Sequence, residues 1–269
     1  MRAPVLAIYA VLYLVFLYAP IILLPIFAFN DATIIAFPLT GFTGNWFTEL
    51  WGNAALGAAV RNSVFIALMS ATIATFLGTL AARAGAMADF PFKGSILGFI
   101  MLPLVLPEII IAVALLVILV QILGLNLSNW TVIGAHVLIC TPFSVAILNG
   151  AFQNLDPSME EAALDLGESR LSAFRLVTLP LVMPGIVSSM LISFTISLDE
   201  FIIAFFLTGS NPTMPVYIWG LLRFPASLPI IMALGTILVT LSIILLTIAE
   251  YFRRRGNARA GVKDTGGFL

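Results

Sequence analysis

The sequence predicts an all-α membrane protein of six transmembrane helices with both termini in the cytoplasm. Three observations carry this. Of 269 residues, 61% are hydrophobic and only 9% charged, against roughly 45–50% apolar and about 25% charged in soluble domains. Six stretches reach the length of about 20 mostly apolar residues that a bilayer demands. Lysine and arginine then divide unequally between the two sets of connecting loops. Arg2, Arg83, Lys93, Arg170, Arg175, Arg253, Arg254, Arg255, Arg259 and Lys263 fall on one side, and Arg61 and Arg223 on the other. Basic residues flanking spans stay inside the cell, so the first set is cytoplasmic.

The expected spans are 7–29, 62–86, 96–122, 131–152, 180–207 and 229–251, in a single permeation domain of 1–269. The first apolar run, from Val5 to Phe29, is too long for the core of a signal peptide and reads as a retained helix. Pro20, Pro25, Pro103, Pro107 and Pro142 lie within spans, which bilayer helices tolerate where neighbours satisfy the freed carbonyls. In the outer loop after the first span, Phe42, Trp46, Phe47 and Trp51 are spaced for a helix lying at the headgroups, either as an anchor or as a surface for an extracytoplasmic partner. The tail from 252 to 269 is expected to be a disordered, basic stop-transfer segment beside anionic lipid. A single cysteine, Cys140, excludes an internal disulfide and any multi-cysteine metal site.

One long polar interruption stands out, from Met159 to Pro184, with Glu160, Glu161, Asp165, Glu168, Arg170 and Arg175 in a chain otherwise poor in charge. Met159, Ala162, Ala163 and Leu166 recur at helical spacing and form one apolar face, while Glu161, Asp165 and Glu168 line another. The helix can be capped by Asp156 with Pro157 in its first turn, or by Ser158 with Glu161 as capping-box partner. Gly167 supplies a left-handed stop. A second helical piece is expected from Ser169 to Pro180. A solvated acidic loop helix is the plain alternative.

The spacing Glu161-Ala162-Ala163, three residues, Gly167, nine residues, Val177, one residue, Leu179-Pro180 resembles the EAA loop of the permease subunits of type I ABC importers. The resemblance implies the six-helix permease fold of that family, with this loop as a coupling helix seated in a groove of a cytoplasmic ATPase. Glu161 would contact the ATPase, Ala162 and Ala163 would permit close packing, Asp165 would belong to the same docking face, and Gly167 would make the turn. No Walker A pattern occurs in the chain. ATP and its magnesium are therefore expected on a separate subunit, with no cofactor, catalytic residue or metal site here. The implied partners are a second related permease, two ATPase subunits, a periplasmic or lipid-anchored substrate-binding protein and membrane lipid; no nucleic acid is expected.

Ionisable side chains within spans are costly and tend to face a pathway, which singles out Glu108, Asp199 and Glu200. None has an evident cationic partner in a span, and unpaired acids suit the passage of a cation. The segments ISLDEFIIAFFLTG, LPLVLPEIIIAVALL and HVLICTPFSVAILNG resemble the spermidine/putrescine-type, PotC-like branch of these permeases. That resemblance implies a polyamine substrate, with other organic solutes or ferric iron as alternatives in the same importer class. Asp199 and Glu200 are adjacent, about 100° apart on a helix, so they cannot both face one site. Each acid also has a plainer reading as a group that hydrogen-bonds a neighbouring helix. His136 reads as a packing or hydrogen-bonding residue, Cys140 as a small buried one, and Tyr217 and Trp219 as interfacial anchors or as rings for an organic cation. An intramembrane enzyme lacks its nucleophile and metal-ligand patterns, and a stand-alone secondary transporter would need no such loop and would often show internal repeats.

Overall fold

The computed structural model describes residues 3–259; Arg2, Lys263 and the rest of the tail beyond Arg259 lie outside the described residues. In chain order the helices are α1 (Ala3–Ala28), α2 (Asn45–Gly52), α3 (Ala54–Met87), α4 (Lys93–Met101), α5 (Glu108–Leu116), α6 (Asn129–Gln153), α7 (Pro157–Asp165), α8 (Arg170–Ala173), α9 (Leu179–Asp199), α10 (Ile202–Leu207), α11 (Met214–Leu221) and α12 (Leu228–Arg259). Among the described residues there is no strand, only an isolated antiparallel bridge between Asn30 and Phe42. Five helical stretches are long and apolar enough to cross a membrane, and a bent pair makes a sixth if counted as one span.

That pair is the third apolar stretch, expected at 96–122 as one kinked helix. It consists of α4 with a short 3-10 turn at Leu102–Leu104, then α5 with a π segment at Val117–Ile122, the two halves bent by 97°. The cause is local. Pro107 has no amide hydrogen to donate and takes an extended ψ of 131° before α5, and the residue before a proline is pushed away from helical geometry. α12 also departs from expectation, remaining helical to Arg259 where a disordered tail was expected from 252.

The chain divides into two compact units, one of Met1–Ala54 with Ile218–Leu269 and one of Ala55–Tyr217. In the first, α1 packs along α12, and Gly235 lets the two approach closely beside the side chain of Leu24. The loop that follows α1 is tied down by Asn30, whose side-chain oxygen accepts from the Thr40 amide at 3.1 Å and whose carbonyl accepts from the Trp46 indole at 2.8 Å. α2 is the short helix expected in the outer loop. Trp51 on it is exposed, Phe47 rests on Phe29, and Phe42 lies ahead of the helix.

The second unit is built on α3, α6 and α9. Its core gathers Ile66, Ala74, Ile111, Val132, Ile139, Ile203 and Leu207. Helices cannot draw on a hydrophobic driving force against lipid tails, so small residues and interhelical hydrogen bonds do the joining. A Cβ at Gly78 of α3 would fall 2.5 Å from Ser144 Cβ, and one at Gly185 of α9 would fall 2.7 Å from Ala151 Cβ, so both crossings require glycine. Between them runs a buried seam of hydroxyls at four-residue intervals on α9. Ser189 meets Thr75 at 3.4 Å, Ser193 meets Ser144 at 2.9 Å, and Ser197 meets His136 Nδ1 at 2.7 Å. The serine-rich approach to Asp199 is therefore divided by helix face. Ser189, Ser193 and Ser197 join helices, whereas Ser188 and Thr195 are exposed and Thr195 bonds its own helix at Leu191.

Candidate docking helix and intramembrane carboxylates

Of the two caps open to α7, the structure uses Asp156, whose carboxylate accepts from the Ser158 amide at 3.0 Å. Hydrogen bonds from Ser158, through its side chain and its amide, hold the Asp156 carboxyl below the usual carboxylate range. Pro157 fills the first turn, where its missing donor costs nothing. At the other end the Gly167 amide donates to the Leu164 carbonyl at 2.9 Å, and that of Glu168 to the Ala163 carbonyl at 3.1 Å. Gly167 sits at φ +91°, completing a Schellman stop that a side chain would strain. α7 is thus terminated by its own sequence at both ends.

Glu161, Ala162 and Asp165 are exposed, and Ala163 is half-buried. The apolar residues Met159 and Leu166 face outward too, Leu166 being 87% exposed. Met159 on α7 and Leu166 at its C-cap therefore leave apolar surface uncovered in the single chain. Glu160, which sequence reasoning left among the four carboxylates without a role, points the other way. Its Oε1 lies 2.9 Å from Arg83 Nη2 on α3, and its Oε2 accepts from the buried Thr178 hydroxyl at 2.6 Å. Arg83 also stacks on the Phe174 ring, 4.2 Å from its centre.

The second helical piece does not end at Pro180. Ser169 caps α8 by accepting from the Ser172 amide at 3.2 Å, and the helix then passes through a π segment, Phe174–Thr178, straight into α9. The wider turn has a cause, since Pro180 cannot donate and its ring crowds the carbonyl four residues back.

α9 stops at Asp199, where Glu200 turns extended at ψ 121°, and the chain resumes as α10. The fifth apolar stretch is thus two helices rather than the single one expected over 180–207. Asp199 is exposed. Glu200 is buried, with Oε1 accepting from the Ile203 amide and Oε2 from the Ala204 amide, each at 3.0 Å. A carboxylate on the amides at a helix start is favoured by both hydrogen bonding and the helix dipole. His136, fully buried on α6, places Nε2 3.4 Å from Glu200 Oε2. His136 thus comes within 3.4 Å of Glu200 from a neighbouring helix, a partner that is cationic only when protonated. Glu108, placed by the sequence near the middle of a span, is the exposed first residue of α5 at the 97° break. Glu108 and Asp199 are thus exposed, whereas Glu200 is buried. No grouping of His, Cys, Asp and Glu able to hold a metal occurs among the described residues.

Residues 74–256 match the family model described as "Binding-protein-dependent transport system inner membrane component". The chain is 35% identical over 243 residues to the spermidine/putrescine transport system permease protein PotC of Haemophilus influenzae, covering 90% of this chain and 93% of that protein. It is 36% identical over 236 residues to the putrescine transport system permease protein PotI of Escherichia coli, covering 83% of this chain and 82% of that one. Among solved structures it resembles a bacterial ABC transporter involved in the import of the acidic polysaccharide alginate. The TM-score is 0.72 at 14% identity, over 94% of this chain and 95% of the other.

Proposed function

This chain belongs to the family of binding-protein-dependent transport system inner membrane components, and on that premise we propose that it carries a polyamine, spermidine or putrescine, across the membrane. It is a multi-pass permease subunit of the inner membrane. It supplies half of an alternating-access pathway, completed by a second related permease. A substrate-loaded binding protein engages the outer loops, and two ATPase subunits, which bind ATP and magnesium, engage α7 from the cytoplasm.

The observation that carries this reading is the outward face of α7, where Glu161, Asp165, Met159 and Leu166 stand exposed on a helix stopped at both ends. A loop would deform under load; a capped helix moves as a piece. The positive-inside distribution of lysine and arginine supports placing α7 and both termini in the cytoplasm. The substrate class rests on the polyamine transport named in the relatives and on exposed acids at two helix breaks, Asp199 and Glu108. A di- or tri-ammonium chain is matched by carboxylates that have no cation of their own among the described residues.

The test is reconstitution of the chain with its partner subunits in proteoliposomes. Uptake of labelled spermidine or putrescine, with co-purification of the ATPase that Glu161→Lys abolishes, supports the reading. Full coupling in that variant, or a chain that never retains an ATPase, refutes it.

A further inference from the structure

Five carboxylates lie on or beside α7, and four of them, Asp156, Glu161, Asp165 and Glu168, are exposed. Glu160 alone is turned inward, as its neighbour Glu161 is turned out, since adjacent residues on a helix diverge by about 100°. Both oxygens of Glu160 are used, one by Arg83 on α3 and one by Thr178 in the π segment that leads into α9. Arg83 closes the figure by lying over Phe174 of that same segment. Three separate pieces of chain therefore meet at one carboxylate. The pair is partly sheltered, its side chains 29% and 18% exposed, so water screens it less than a surface ion pair.

We propose that Glu160 is the joint through which movement of α7 reaches two spans at once, with Arg83 and Thr178 as the residues that position it. The inference rests on the reading of α7 as the ATPase-docking helix, and adds how displacement leaves that helix. Apolar contacts can slide and rotate past one another. A carboxylate held at each oxygen by donors from different elements fixes rotation about the helix axis as well as distance. Turning α7 without turning α3 and the start of α9 would break an ion pair and a hydroxyl bond together. Docking and transmission are thereby assigned to adjacent residues on different faces, Glu161 outward and Glu160 inward.

The experiment uses the complete transporter in proteoliposomes, reading ATPase retention, basal hydrolysis, and substrate taken up per ATP hydrolysed. Arg83→Glu and Glu160→Arg singly are expected to lower uptake per ATP about tenfold, the range of ordinary allosteric coupling, while the ATPase stays bound and hydrolyses ATP. The double exchange, Arg83→Glu with Glu160→Arg, is expected to recover most of the loss. Thr178→Val, which removes one hydroxyl from a packed site, is expected to lower uptake per ATP in a protein of normal yield, and Arg83→Lys to lie between wild type and the reversal. The proposal is overturned if the single reversals and Thr178→Val couple like wild type, if the well-folded exchange recovers nothing, or if the single variants shed the ATPase. The last result would move Glu160 into the docking face. Failure of the docking reading itself shows differently, as a wild-type chain that holds no ATPase.

Discussion

Glu200 Oε2 stands 3.4 Å from His136 Nε2, joining the residue that leads into α10 to the first third of α6 through two buried side chains. The same carboxylate holds the Ile203 and Ala204 amides, so it closes the break between α9 and α10. Glu200→Ala leaves those two amides without their acceptor and is expected to destabilise the protein by roughly 2–4 kcal/mol. Glu200→Gln, which keeps one acceptor, is expected to cost about half of that. Thermal unfolding of the detergent-solubilised chain measures both. Equal stability in all three would remove Glu200 from its capping role.

Asp199 is the reverse case. It is exposed and makes no hydrogen bond or ion pair among the described residues, so Asp199→Asn is expected to leave stability within about 0.5 kcal/mol. If it faces a passing ammonium group, the same change raises the KM for spermidine uptake about tenfold, the equivalent of roughly 1.4 kcal/mol. Unchanged uptake kinetics would take Asp199 out of the pathway.

Gly167 at φ +91° carries the stop of α7. No atom lies within 4 Å of the place a Cβ would take, so the penalty in Gly167→Ala is one of backbone conformation alone, about 1–2 kcal/mol. On the proposed docking role of α7, the expected result is a transporter that retains its ATPase but couples less well, read as hydrolysis without proportionate uptake. A variant coupling at the wild-type ratio would show that the turn tolerates another geometry.

Asp156 makes a pH prediction. Its carboxyl is lowered on folding by the Ser158 hydrogen bonds. A group so shifted adds stability that is fully present above its unfolded value of about 3.9 and is lost as pH falls through the lower folded value. Protection factors of the first-turn amides of α7 are therefore expected to be insensitive to Asp156 titration between about pH 5 and 8. Asp156→Ala is expected to lower them throughout that range. Hydrogen exchange resolved to the Ser158–Glu161 amides checks this, and equal protection in the two proteins would contradict it.

What could be read from the sequence was what is local. The α7 helix, its Asp156 and Pro157 start and its Gly167 stop lie within a dozen residues, and each is a residue type with a defined backbone role. Pro103 and Pro107 flank the break after Leu104, but the sequence alone keeps both inside one expected span, because a proline marks where a helix can bend and not by how much. Glu160 was not distinguishable from its neighbours, because Arg83 is 77 positions away and nothing near Glu160 points to it. The break at Glu200 carries neither proline nor glycine; its signal was the adjacency of two acids that cannot share a face. The α10 amides of Ile203 and Ala204 and the placement of His136 on a different helix together hold Glu200, not Asp199, inward.

The seam that joins α6 to α9 contains serine hydroxyls, with Thr75 of α3 at one end, and only at its His136 end does it reach groups that can carry charge. A membrane voltage does work on charge, about 2.3 kcal/mol per unit charge for each 100 mV crossed. Along Ser189, Ser193 and Ser144 it has almost nothing to act on, so energising or depolarising the cell leaves the grip between these two helices unaltered. Within this seam a voltage finds charge to act on at the α10 end, where Glu200 and His136 sit.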